Sequence, residues 1–117
     1  MNDNYFVTIT GLKNYYGTKP FEIGRIIELI KEPENEYDRE AIAVCLPYID
    51  KIGYVGNSVH TVYHGTMIAG RLYDKIKDRT YARIMFVTHT SAIAMVLSDK
   101  DIEELSSKEN SNDPIPS

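Results

Sequence analysis

Short runs in which residues of contrasting character alternate recur along this chain, and a period of two is the geometry of a half-buried β-strand. Tyr5, Val7 and Ile9 fall on one face against Phe6, Thr8 and Thr10. Ile42, Val44 and Leu46 oppose the small Ala41, Ala43 and Cys45. Tyr81 to His89 and Ala92 to Leu97 repeat the pattern. A chain patterned this way must pair its runs into a sheet and bury one face of each. With 117 residues, a single core is the limit, since a chain of this size buries roughly two-thirds of its unfolded surface.

The remaining segments fill in the order. Gly11 ends the first strand, and Lys13 to Pro20 is a loop rich in Tyr and Gly. Phe21 to Lys31 is long enough for a bent strand, with Gly24 as the bend. Glu32 to Asp38 is an acidic turn led by Pro33. Ala41–Leu46 and Lys51–Val55 have the spacing of a hairpin. Val59, Val62 and Tyr63 then recur at helical spacing, with Asn57 or Ser58 as N-cap and Gly65 as the stop. Thr66 caps a second helix whose Ala69, Leu72, Tyr73 and Ile76 share a face. Thr90-Ser91 is a tight turn between the last two strands.

The reading is a mainly β chain, a small six-stranded OB-like or SH3-like barrel with a helical insertion between strands 4 and 5. Closing such a sheet removes its exposed edges. Residues 1–100 form the domain. Residues 101–117 form a polar, acidic, frayed tail with one helical turn around Ile102 to Leu105.

Net charge is −4. Phosphate neutralisation supplies most non-specific nucleic-acid affinity, so this chain is not built to grip phosphate by bulk charge. Part of the deficit lies in the tail, where Asp99 to Asp113 holds six acidic residues against two lysines. The rest is close to neutral, which leaves room for a local basic groove. Cys45 is the only cysteine, so no intrachain disulfide forms, in keeping with a reducing compartment. No run of about 18 apolar residues could span a bilayer. The opening Met-Asn-Asp-Asn-Tyr lacks the basic and apolar regions of a secretory signal. These features predict a cytoplasmic protein without a membrane partner.

The most informative stretch is Glu32-Pro33-Glu34-Asn35-Glu36-Tyr37-Asp38-Arg39-Glu40-Ala41-Ile42-Ala43-Val44. Asn35 and Asp38 suit a turn, where their side chains accept hydrogen bonds from nearby backbone amides. Tyr37, between charged neighbours, either packs onto the barrel rim or stands exposed as a stacking platform. The stretch resembles the signature of the HIRAN domain. There a strand ends in an Arg/Lys-Glu-Pro turn, followed by Asn-x-Tyr-Asp, two variable residues and Ala-Ile-x-Val. Ile52-Gly53-Tyr54-Val55 is similar to the family's Gly-Tyr/His strand, and Gly11-Leu12-Lys13-Asn14-Tyr15-Tyr16-Gly17 to its first strand and aromatic loop. The similarity runs from about Val7 to Leu97.

The resemblance implies an OB-like barrel that captures a single-stranded 3′-hydroxyl DNA end. Aromatic rings would stack on the terminal bases, and the turn's Asn and Asp would hydrogen-bond the last nucleotide. Carried over residue by residue, the nucleic-acid-binding candidates are Lys13, Tyr15, Asn35, Tyr37, Asp38 and Tyr54. The family's DNA-binding members carry an Arg and paired aromatics in the first loop, where this chain has Lys13, Asn14 and Tyr15. They carry lysines just after the Gly-Tyr/His strand, where this chain has Gly56 and Asn57. Lys13, Lys19, Lys51 and Arg71 would compensate if they line the same groove. The helicase and zinc motifs of larger proteins with this domain are missing, so neither ATP hydrolysis nor structural zinc is implied.

Other constellations point to blander roles. His60 and His64 are four apart, the spacing of a two-histidine metal half-site on a helix, but no Glu follows His60 and only the distant His89 could be a third ligand. Glu32, Glu34, Glu36 and Asp38 could chelate a cation, although such acids in a turn usually form a solvated face. Cys45 reads as an inert packing residue. No catalytic spacing is visible and no cofactor is implied. The expected function is therefore a module that binds single-stranded DNA or DNA ends. The alternative is a protein-interaction or regulatory module on the same fold that has lost DNA binding, which net acidity and the missing lysines favour.

Overall fold

The computed structural model describes residues 5–47 and 49–110, without the side chains of 108–110. Six strands form a closed barrel: β1 (Phe6–Thr10), β2 (Ile26–Lys31), β3 (Ile42–Leu46), β4 (Asp50–Val55), β5 (Arg79–Val87) and β6 (Ala92–Val96). Their order around the barrel is β1-β4-β3-β2-β5-β6, with β6 returning to β1, and every pair is antiparallel. The shortest ladder is β1–β4, where Ile9 faces Val55 and Thr10 faces Tyr54. The mainly β barrel with a helical insertion after the fourth strand is thus the observed fold.

Alternation decides what fills the barrel. Val7 and Ile9 of β1, Ile27 and Leu29 of β2, Ile52 of β4 and Ile84 of β5 are fully buried in one cluster. Each such side chain contributes about 1.5–3 kcal/mol relative to exposure. Leu12, Phe21, Ala69 and Leu72 close the same cluster from outside the strands. All of β3 is buried, including the residues expected on its second face. Small Ala43 lies directly opposite Tyr54 on one neighbour and Ile30 on the other.

Gly53 shows how tightly β4 is covered. A Cβ there would lie 2.9 Å from both Ile9 Cγ2 and Leu12 Cδ2, so only glycine admits this approach. Leu12 belongs to a 3-10 turn, Leu12–Asn14, that follows β1. Gly53 thereby sets how close the first loop comes to Tyr54.

Three sequence expectations change. The bent strand over Phe21–Lys31 is a strand only from Ile26, because Gly24 (φ 91°) turns the chain and donates its N–H to Ile84 O at 2.7 Å. No helix forms around Val59–Tyr63. The Tyr63 N–H instead donates to Thr8 Oγ1, and Gly56 and Met67 donate to the Thr8 and Phe6 carbonyls. Backbone groups claimed by β1 are not available for i→i+4 bonds. The second helix is one turn, α1 (Ala69–Leu72), continued by a 3-10 turn, Tyr73–Lys75. Its apolar face is as expected: Ala69 and Leu72 are buried, with Tyr73 and Ile76 packed on the core. Thr66 does not cap it; its hydroxyl bonds Thr8 and the Tyr63 carbonyl.

Beyond the barrel, the expected helical turn is part of a longer helix, α2 (Asp99–Asn110). Ser98 and Asp101 cap each other at its start, each backbone N–H donating to the other's side chain at 3.1 Å. Ile102 and Leu105 line a hollow with Ile26 and Tyr81 of the barrel wall. The tail from 111 onward lies outside the described residues.

Candidate nucleic-acid interface

Four of the six candidate residues, Asn35, Tyr37, Asp38 and Tyr54, meet on one hydrogen-bonded network with Glu32 as its hub, and the Tyr15 ring leans on Tyr54 at its edge. Glu32 Oε1 accepts from the Asn35 amide at 2.9 Å and the Tyr54 hydroxyl at 2.7 Å. Its Oε2 pairs with Lys51 Nζ at 2.7 Å, and Lys51 also donates to the Tyr54 hydroxyl at 2.6 Å. Burial alone would raise the Glu32 carboxyl, but hydrogen bonds from Lys51, Asn35 and Tyr54 and the lysine's charge outweigh it and hold the group below its ordinary range. Burial likewise works against the Lys51 charge, and its bonds to Glu32 and Tyr54 outweigh that and raise it well above the usual lysine range. The Tyr54 phenol is raised, chiefly by burial.

From this hub the turn is built outward. Asn35 Oδ1 accepts the backbone N–H of Tyr37 at 2.9 Å and of Asp38 at 3.1 Å, the Asx geometry that the sequence suggested. Asp38 Oδ1 accepts the Glu40 N–H at 2.9 Å, and Oδ2 accepts from the Asn57 amide at 2.7 Å. Asn57 Oδ1 in turn accepts the Gly70 N–H at 2.7 Å. Gly70 has a packing reason, since a Cβ there would lie 2.7 Å from Glu40 Oε1. Asp38 therefore holds the turn, and it does so while half-buried.

Tyr37 is different: it is 92% exposed, the most open large apolar side chain among the described residues. At the other end of the network, the Tyr15 ring lies 6.4 Å from the Tyr54 ring at an interplanar angle of 51°. Tyr15 is exposed, and Tyr54, on the outer face of β4, is half-buried. Lys13 stands apart from this network. It lines a neighbouring cleft of about 550 Å³ between the first loop, the 60–63 segment and the β5–β6 turn. His60 and His89 line the same cleft, and hydrogen bonds with Thr88 and Ser91 hold the Tyr63 phenol in its wall below the usual tyrosine range.

Charge is uneven around the turn. Glu34, Glu36 and Glu40 are exposed beside Tyr37, with Arg39 among them. Of the cations expected to compensate, Lys51 is consumed by Glu32. Lys51, Glu32 and Asn57 are the members of the network that sequence reasoning did not single out as site residues. Glu32 carried a signal through the Glu-Pro step before Asn-x-Tyr-Asp, whereas Lys51 stood out only as a compensating cation and Asn57 only as a departure from the family's lysines. Elsewhere, His60 and His64 lie in turns, so helical half-site spacing does not exist, and among the described residues no three His, Cys, Asp or Glu group to hold a metal. Cys45 is buried, and burial foremost, then the nearby Asp50 charge, pushes its thiol up to about 11. No described helix is long and apolar enough to cross a membrane.

Comparison with known proteins bears on the family and the fold. The HIRAN domain profile matches residues 2–98. A crystal structure of the HIRAN domain of human HLTF superposes with a TM-score of 0.57 at 17% identity, covering 90% of this chain and 84% of that one. A crystal structure of a protein from Lactobacillus plantarum gives 0.56 at 19% identity, covering 80% and 92%. At these identities the two structures establish likeness of fold. No curated protein matches the sequence. By the match over nearly its whole described length, the chain belongs to the HIRAN domain family, whose domains are in general nucleic-acid-binding modules rather than catalysts.

Proposed function

We propose that this chain recognises single-stranded DNA at 3′-hydroxyl ends, as a binding module with no reaction of its own. The observation that carries the reading is an almost fully exposed ring, Tyr37, next to a carboxylate, Asp38, on a turn fixed by Asn35. The tilted Tyr15–Tyr54 pair, joined to the same network, offers further aromatic surface. Bases stack on such rings with little regard to sequence, at about 1–3 kcal/mol per base. Each Asp38 oxygen already accepts one internal bond, but an ionised carboxylate has about four acceptor positions. A terminal hydroxyl can donate to one of these, whereas a phosphate in its place is repelled. Lys13 adds a cation near Tyr15. In this reading residues 1–100 are the binding unit and 101–117 an acidic appendage. The single buried cysteine suits a cytoplasmic location.

The acidic rim of Glu34, Glu36 and Glu40, with Lys51 tied to Glu32, favours a second reading: a protein-interaction module that has lost DNA binding. Fluorescence anisotropy separates the two. Oligonucleotides with a free 3′-hydroxyl, a 3′-phosphate or no free end are titrated at low salt. A salt-sensitive preference for the hydroxyl end supports the first reading. No binding at tens of micromolar protein removes it and leaves the second.

A further inference from the structure

The cleft beside Lys13 is unlike the rest of this acidic molecule. Lys13, His60 and His89 approach it from three separate segments, and Thr18 and Thr90 add hydroxyls. No Asp or Glu is among the described residues lining it. Its other titratable group is Tyr63, a donor or acceptor without charge at neutral pH. A volume of about 550 Å³ lies within the range of small-ligand sites, roughly 300–1,000 Å³. Hydroxyls, one fixed ammonium and two imidazoles, with no carboxylate to repel it, are the donor set for a phosphate group. A protonated imidazole carries a positive charge and a neutral one does not. Each proton gained there adds a cation to the cleft and favours an anion.

We propose that this cleft is a phosphate subsite whose hold tightens as His60 and His89 take up protons. Its assignment to the backbone of a bound strand rests on the DNA reading above; the phosphate chemistry does not. Lys13 lies two residues before Tyr15, so a strand stacked on Tyr15 and Tyr54 has the cleft beside it.

Two arms test this with the intact chain. In the first, a 3′-hydroxyl oligonucleotide is titrated at pH 8 and pH 6. Affinity is expected to rise about fivefold, the scale of one well-placed exposed ion pair. His60→Gln with His89→Gln should abolish that rise. His89→Lys should bind at pH 8 nearly as the natural chain binds at pH 6. His64, exposed and outside the lining, is the control: loss of the pH effect in His64→Gln overturns the assignment. In the second arm, inorganic phosphate is added while the amide resonances of Thr61, Tyr63, Thr90 and Ser91 are followed. Shifts at pH 6 that weaken at pH 8 are expected. Unmoved amides at pH 6 with tens of millimolar phosphate overturn the proposal. If phosphate moves them while no oligonucleotide binds, the cleft stands as a site for free phosphate and the DNA reading falls instead.

Discussion

Replacing Tyr37 with alanine separates binding from folding in this protein. The ring is 92% exposed, and the turn beneath it is held by the Tyr37 backbone N–H, which an alanine keeps. Substitutions at such surface positions change stability by about 0.5 kcal/mol or less. Stacking of one base on the ring is worth about 1–3 kcal/mol, which converts to a loss of affinity between roughly fivefold and 150-fold. Asp38→Ala behaves differently. It strips acceptors from the Glu40 N–H and the Asn57 amide, a cost of about 1–3 kcal/mol in stability on top of any binding loss. The assay is anisotropy with a fluorescent 3′-hydroxyl oligonucleotide, paired with thermal unfolding of each variant. Tyr37→Ala should show a weaker Kd at an unchanged Tm, and Asp38→Ala should lower both. An affinity within twofold of the natural chain for Tyr37→Ala, or a fall in its Tm that matches Asp38→Ala, refutes the stacking argument.

Three further outcomes follow from the same contacts. Gly53→Ala forces a methyl against Ile9 and Leu12; overpacking of about 1–3 kcal/mol should lower Tm by roughly 5–10 °C in a calorimetric scan. The lowered Glu32 carboxyl contributes stability that is present above the ordinary carboxylate range and lost as pH falls through its folded value, and the raised Lys51 contributes stability that is lost only as pH rises past the lysine range. Denaturant midpoints measured against pH should therefore fall at the acid end less steeply in Glu32→Gln than in the natural chain. Cys45, buried with its thiol pushed up to about 11, should resist a thiol reagent at pH 8 in the folded chain and react fully in denaturant.

Much of the barrel was legible because alternation is a local property. Val7 and Ile9, like Ile42 and Val44, commit their side of the strand to the core whatever the partner, although in β3 the opposite face is buried as well. The Asx turn at Asn35 was legible for the same reason, since its donors lie two and three residues away. The 59–63 segment misled because Val59, Val62 and Tyr63 mimic a helical stripe, yet Val59 is 70% exposed and the backbone bonds to β1. At the site, no pattern in the chain joins Glu32 to Lys51 and Tyr54, which only the folded β4 brings beside the β2–β3 connection.

The sequence by itself determined the strands, the buried faces and the turn chemistry, because these depend on residues within a few positions of one another. Tertiary structure alone decided the barrel's closure, the loss of the 59–63 helix and the pairing of Lys51 with Glu32. It also decided that His60 and His89, twenty-nine positions apart in the chain, share one cleft. Those outcomes turn on which distant donors and charges meet, and hydrogen bonds and ion pairs form by distance in space, which local periodicity does not encode.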